Sequence, residues 1–371
     1  MKIAMILPHF YPYVGGGELM FYEVARKLVS LGHEVRVVAR NVGEEYLGEK
    51  DVSGIRVRYC KWRSAFGHPL PRVRDIEDVV QWCDVVHTSI FTTAPVTSKL
   101  AAKYGKPSLL TVYEVRGFKW FWTDVFYRAI VYFAVEQFCI RQRFDRYHAI
   151  SEATKRDFLK YSGKKDITRV YLASDLNDES LTDISLAGHF GIRNKKVFLY
   201  YGRPGRTKGV NIYEKAIAIL KNEGTDLSGV RFCFLLGAEP EKPRREFQKS
   251  VVDDGLKGLV KIRPSVSRGE LLNCIKQADC VVVPSITEGF GFSALEACLS
   301  GTPLIVSDAG SLPEVVYGKC LIFKNRDARE LAKRIKAVIE KGDDAFDNIE
   351  KKSFSVQEMT DGILKIYGDM R

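Results

Sequence analysis

Short runs of apolar, often β-branched residues recur along the chain, and the stretches between them carry apolar positions three or four residues apart. A run of four to seven apolar residues bounded by turn formers reads as a strand buried on both faces, whereas the wider spacing reads as a helix with one buried side. In the first half the runs predict strands over residues 2–7, 34–39, 55–59, 84–88, 108–112 and 146–150. In the second half they predict strands over 197–201, 230–236, 260–262, 279–283, 304–306 and 321–323. Leu19, Val24, Leu28 and Leu31 mark a helix over 17–30 that Gly32 ends. Strands alternating with helices in this way predict parallel sheets with crossover helices, an α/β architecture built twice. The polar stretch 177–194 has no convincing strand and reads as a linker, which gives domains over 1–176 and 195–350. A last amphipathic helix over 357–370, within a terminal segment 351–371, follows a charged stretch.

Size and composition agree with that picture. A chain of 371 residues is long enough for two domains, and 46% hydrophobic with 28% charged residues describes a soluble chain with ample core. No apolar run reaches the roughly 20 residues that cross a bilayer. The opening apolar run is cut short by Pro8 and Pro12, so it reads as a first buried strand rather than a signal peptide. The eight cysteines show no C-x-x-C pairing and several fall inside apolar runs, the pattern of buried thiols in a reducing cytosol rather than of a zinc site.

Charge adds one local feature. The net charge is +11, and residues 116–169 alone carry twelve Lys and Arg against six Asp and Glu. The same stretch holds Phe118, Trp120, Phe121, Trp122, Phe126, Tyr127, Tyr132, Phe133 and Phe138. Basic and aromatic residues together are what an anionic membrane surface attracts, and 116–145 is the expected contact; a core helix flanked by solvated charge is the plainer alternative. Nucleic acid is not expected, because no binding motif accompanies the charge.

Candidate chemistry concentrates in 284–314. The strand ending at Val283 runs into Pro284-Ser285-Ile286-Thr287-Glu288-Gly289-Phe290-Gly291-Phe292, and a helix carrying Glu296 leaves it. A glycine turn that opens a helix at a strand's carboxyl end leaves backbone N–H groups free for an anion. The eight-residue step from Glu288 to Glu296 is a little over two helical turns, which would put both carboxylates on one side. Farther upstream, Tyr201-Gly202-Arg203-Pro204-Gly205-Arg206-Thr207-Lys208-Gly209 follows the first strand of the second half, and Gly15-Gly16-Gly17-Glu18 follows the first strand of the chain. Two carboxylates alone would also fit a glycosidase pair, but glycines and cations around them suit a diphosphate better.

Together these motifs resemble the retaining nucleotide-sugar glycosyltransferases of family 4 (glycosyl transferases group 1), over nearly the whole chain and most closely over 197–314. The resemblance implies the GT-B fold, two facing Rossmann-like domains with a cleft between them. The first would take the acceptor, the second the donor, and the C-terminal helix would pack back on the first. It implies catalytic roles for Glu288 at the transferred sugar and for Arg203 and Lys208 at the donor diphosphate. It further implies donor contacts from Gly15, Gly16, Gly237, Arg263, Pro264, Gly289, Phe290, Gly291 and Phe292, with Glu296 accepting from the ribose hydroxyls. The donor would be UDP- or GDP-linked and the reaction metal-independent, without a cofactor. The acceptor would be a saccharide or lipid-linked glycan, met in the cytoplasm or at the inner face of the cell membrane. One position departs from the family: Tyr113 stands where a His usually meets the sugar, so Tyr113, His9 and His87 are all candidates there. That departure keeps two rivals in view, a sugar-nucleotide-binding subunit without activity and a GT-B sugar-nucleotide epimerase.

Overall fold

The chain divides into two units, Met1–Ser174 with Phe354–Arg371 and Asp175–Ser353. The computed structural model describes residues 1–13, 15–65, 68–174, 184–237 and 241–370. In the first unit the apolar runs become β1 (Lys2–Leu7), β2 (Glu34–Arg40), β4 (Ile55–Cys60), β7 (Val85–Ser89), β8 (Ser108–Val112) and β9 (Arg146–Ala149). Three shorter pieces join the sheet or flank it: β3 (Gly48–Val52), a hairpin of β5 (Arg63–Ala65) with β6 (His68–Leu70), and β10 (Thr168–Arg169). The eight-stranded sheet runs in the order β10-β9-β8-β7-β1-β2-β4-β3, parallel except where β3 pairs with β4. From Ile3 to Leu7, β1 is buried on both faces because helices cover the sheet above and below.

The second unit contains β11 (Lys196–Gly202), β12 (Val230–Leu236), β13 (Val260–Pro264), β14 (Cys280–Val283), β15 (Leu304–Ser307), β16 (Gly318–Phe323) and β17 (Asp347–Ile349). Their order is β13-β12-β11-β14-β15-β16-β17, parallel except for β17. Its core stacks Phe198, Phe232 and Phe234 of the sheet on Tyr213, Phe247 and Ile335 of the helices. Each such aromatic, fully buried, contributes roughly 1.5–3 kcal/mol of transfer free energy. The order doubles back between β11 and β14, a topological switch point where α/β sheets open a crevice at their carboxyl ends. The strands ending in Gly202-Arg203 and in Pro284 are the two that flank it.

Two features differ from the sequence expectation. The edge strands β3 and β17 lie in polar sequence, because an edge strand that buries little needs no apolar run to announce it. Residues 177–183 of the expected linker lie outside the described residues, but 184–194 is folded. Ser185 caps a short helix, Leu186–Phe190, and Gln277 exchanges hydrogen bonds with the Leu186 N–H and the Ile184 carbonyl. The last helix, Val356–Gly368, starts at a Ser355/Glu358 capping box and belongs to the first unit. Its Gly362 lies so near Val170 that a Cβ would come within 2.7 Å of a valine methyl.

Candidate functional site

The Arg203–Lys208 loop is built by glycine at its exit. Gly209 has φ +68°, and a Cβ there would lie 1.7 Å from the Pro284 carbonyl oxygen, so only glycine lets the two loops touch. Across the contact the Thr207 carbonyl accepts from the Ile286 and Thr287 N–H groups, at 2.8 and 3.3 Å. That docking sets Lys208 against Glu288: its ammonium donates to both carboxylate oxygens, at 3.1 and 2.8 Å, and the Ser285 hydroxyl donates to one of them at 3.0 Å. The Glu288 side chain is 13% exposed and that of Lys208 30%. A third loop grips from behind. The Glu288 carbonyl accepts from the Ser311 N–H, and Gly310 (φ +55°) passes so close that a Cβ would sit 2.0 Å from that oxygen.

Arg203 follows β11 with its side chain exposed and makes no ion pair among the described residues, while its carbonyl accepts from the Tyr200 hydroxyl. One cation is thus held on a carboxylate and a second stands open beside the same switch point, an arrangement that can receive two negatively charged phosphates. Gly291 (φ +98°) ends the turn and Phe292–Ser300 follows as a helix, which leaves first-turn N–H groups at Phe292 and Ser293 without helical partners. The phenyl ring of Phe290 is buried and packs on Phe292.

Glu288 and Glu296 do not share a helix, contrary to the spacing argument. The helix begins at Phe292, and the positive φ of Gly291 interrupts the backbone between the two acids. Glu296 is buried and forms a 3.0 Å ion pair with Arg268, a residue the sequence reading missed. The available signal was Ser267-x-x-Glu270, a capping box that places Arg268 in the first turn of a helix. Burial, and after it the neighbouring Glu296, raises the Tyr201 phenol well above its usual value, so it stays neutral and donates to the Ser293 carbonyl. Arg263 and Pro264 end β13 at the far edge of the sheet, and the Arg263 guanidinium donates to the His189 carbonyl. Gly237 closes β12 with its N–H on the Gly202 carbonyl.

In the first unit the candidates separate. His9 leaves β1 stacked on Tyr13 at 4.5 Å, near Gly15, which caps the helix Gly16–Ser30. Tyr113, at the end of β8, donates its hydroxyl to the Gly17 carbonyl, and its ring fills the place a Cβ on Gly17 would need. Burial, then Glu18, raises its phenol well above the usual value, so Tyr113 serves only as a neutral group.

His87 is turned into the interior of the first unit. It is fully buried, with Nδ1 2.7 Å from the Tyr367 hydroxyl and Nε2 2.7 Å from the Thr111 hydroxyl. That hydroxyl also meets Nδ1 of His148, whose Nε2 lies 2.9 Å from the Val170 carbonyl. A carbonyl only accepts, so His148 carries its proton on Nε2, Thr111 donates to His148, His87 donates to Thr111, and Tyr367 donates to His87. Burial lowers both imidazoles, His148 to about 4 and His87 well below its ordinary value, so both are neutral. The His87 imidazole is spent in fastening the last helix. Among the described residues no three His, Cys, Asp or Glu side chains come together as metal ligands.

Comparison with known proteins bears on each unit. The model of Glycosyltransferase Family 4 matches residues 14–178, and that of Glycosyl transferases group 1 matches 188–353. D-inositol 3-phosphate glycosyltransferase of Paenarthrobacter aurescens is 35% identical over 118 residues, 32% of this chain and only 28% of that enzyme. The GPI3 subunit of phosphatidylinositol N-acetylglucosaminyltransferase from Saccharomyces cerevisiae is 22% identical across 99% of this chain and 79% of that protein. Among solved structures, Anabaena HepE in complex with UDP and glucose aligns over 99% of both chains with a TM-score of 0.77 at 18% identity. Sucrose-phosphate synthase from Thermosynechococcus elongatus covers 99% of this chain and 96% of that one, with a TM-score of 0.74 at 18% identity. Matched in both units and over the whole fold, the chain belongs to the GT-B glycosyltransferases, with a family 4 first unit and a group 1 second unit.

Proposed function

We propose that the chain is a retaining glycosyltransferase that moves a hexose from a UDP- or GDP-linked donor to a lipid-carried acceptor at the cytoplasmic face of a membrane. The observation that carries the donor half is the grouping of Lys208, Glu288 and the open Arg203 at the switch point of the second sheet. In the proposed reaction the acceptor hydroxyl oxygen bonds to the anomeric carbon on the face from which the diphosphate leaves. The carbon–oxygen bond to the phosphate breaks, and the acceptor's proton passes to the departing phosphate oxygen. Arg203 and Lys208 stabilise the charge that gathers on that leaving group, and no metal ion is assigned a part. Glu288 orients the sugar, while Glu296, fixed by Arg268, accepts from the ribose.

Support for the acceptor comes from two relatives whose names specify inositol phosphate and phosphatidylinositol. Support for the donor comes from the Anabaena structure with UDP and glucose. A thermal-shift series with UDP-, GDP- and ADP-sugars tests the donor, since a ligand at about 100 times its Kd adds roughly 2.7 kcal/mol of stability. Proton NMR of the product then reads the anomeric configuration, and an inverted product would refute the retaining mechanism. A second reading, a binding subunit without transfer, draws on Tyr113, whose hydroxyl is turned to Gly17. Acceptor-dependent release of nucleotide that disappears in Lys208→Ala would exclude it.

A further inference from the structure

The helix Phe126–Ile140 has its polarity reversed. Its one carboxylate, Glu136, is fully buried and accepts the backbone N–H groups of Arg116 and Gly117 at 2.8 and 2.7 Å. Its outer face is apolar, with Phe126, Ile130, Ala134 and Phe138 following one another at a stride of four. Phe126 is 71% exposed, Ile130 46% and Phe138 60%. The approach to the helix continues the surface through Phe118 and Trp122, which are 59% and 66% exposed. Of the 16 exposed large hydrophobic residues among those described, seven lie within 118–138, which makes this a patch rather than scatter.

We propose that this face docks on an anionic bilayer, with the helix lying in the plane of the headgroups and its aromatic side chains set among them. Charge argues for a membrane over an apolar protein partner. Arg141 and Arg143 stand just beyond the end of the helix. Lys160 borders the patch from the adjoining helix, Glu152–Ser162, and Lys164 follows in the segment after it. None of these four makes an ion pair among the described residues. Phe118 packs edge-on against Tyr161, over whose ring Lys160 sits at 5.3 Å, so apolar surface and cationic rim are continuous. Fifteen residues give a helix of about 22 Å, too short for a hydrocarbon core of about 30 Å. No helix among the described residues is long and apolar enough to cross a membrane. The mode is therefore interfacial, with apolar area and anionic attraction acting together. This docking face supplies the lipid partner of the function proposed above, but it rests on exposure and charge alone and does not use the donor chemistry.

Flotation of the full chain on phosphatidylcholine vesicles, with and without phosphatidylglycerol, tests the proposal. The protein floats with the anionic vesicles at low salt and less at high salt. Combining Phe126→Ser, Ile130→Ser and Phe138→Ser lowers the bound fraction about tenfold or more while the melting temperature holds, since these side chains are already in water. Lys160→Glu with Lys164→Glu removes the preference for phosphatidylglycerol. Wild-type protein that stays unbound at low salt would overturn the proposal, as would a triple-serine variant that floats equally well. A self-association in sedimentation velocity that the triple variant abolishes, with no flotation, would instead assign the face to a second copy of the chain. Flotation without transfer to any acceptor leaves the docking face standing and removes the proposed function.

Discussion

At the carboxyl end of the second sheet three loops bring charge together: Lys208 on Glu288, Arg203 open beside them, Arg268 on Glu296. In the first sheet the polar groups turn inward. The chain from Tyr367 through His87, Thr111 and His148 to Val170 uses two imidazoles for internal fastening, and the Tyr113 hydroxyl is committed to Gly17. The difference teaches what a titratable side chain can do from its place in a strand. Residues beyond a strand's last hydrogen bond reach the crevice, whereas His87, Thr111 and His148 sit within adjacent strands and reach one another, Tyr367 and the Val170 carbonyl.

Substitutions can break the comparison or sharpen it. The largest effect is expected in the second unit. Lys208→Ala should lower kcat roughly 10²–10³-fold with little loss of melting temperature, in the range found for removing one preorganised charge-stabilising donor. Tyr113→Phe should change kcat far less, and an equal loss would mean that the first unit's tyrosine is chemical after all.

Acid should act on the first unit. The folded value for His148, about 4, lies below its ordinary value, so its contribution is complete above pH 6.5 and is lost as the pH falls from 6.5 toward 4. The difference corresponds to about 3 kcal/mol for this residue, with His87 extending the loss to lower pH. Urea titrations across that range should show the decline, and a flat profile would contradict the neutral relay. Gly209→Ala, facing both a positive φ and the Pro284 carbonyl, should cost about 2 kcal/mol or more and abolish donor binding in the same protein. Smallest, Tyr367→Phe should destabilise by about 1–2 kcal/mol by leaving Nδ1 of His87 unpaired, measurable as a lower urea midpoint without a change in donor affinity.

Much of this was legible from pattern. Each apolar run became a strand because parallel strands covered on both faces must be apolar along their length. Strand-end glycines and cations were legible for a related reason: a loop touching another loop's backbone, as Gly209 touches Pro284, excludes any side chain. Polar edge strands were not legible, because pairing through backbone alone leaves no trace in side-chain type. Nor was Arg268, which meets Glu296 from 28 positions away in the chain.

Local sequence, by itself, determined the alternation of strands and helices, the switch-point loops and the residue types held there, since each follows from period, φ and steric room. Only the tertiary structure decided which charges meet, that Gly291 parts Glu288 from Glu296, that His87 is sealed inside, and that Phe126–Ile140 turns its phenyl rings outward. Those outcomes depend on which face of an element finds a neighbour, and that is a property of packing between segments distant in the chain.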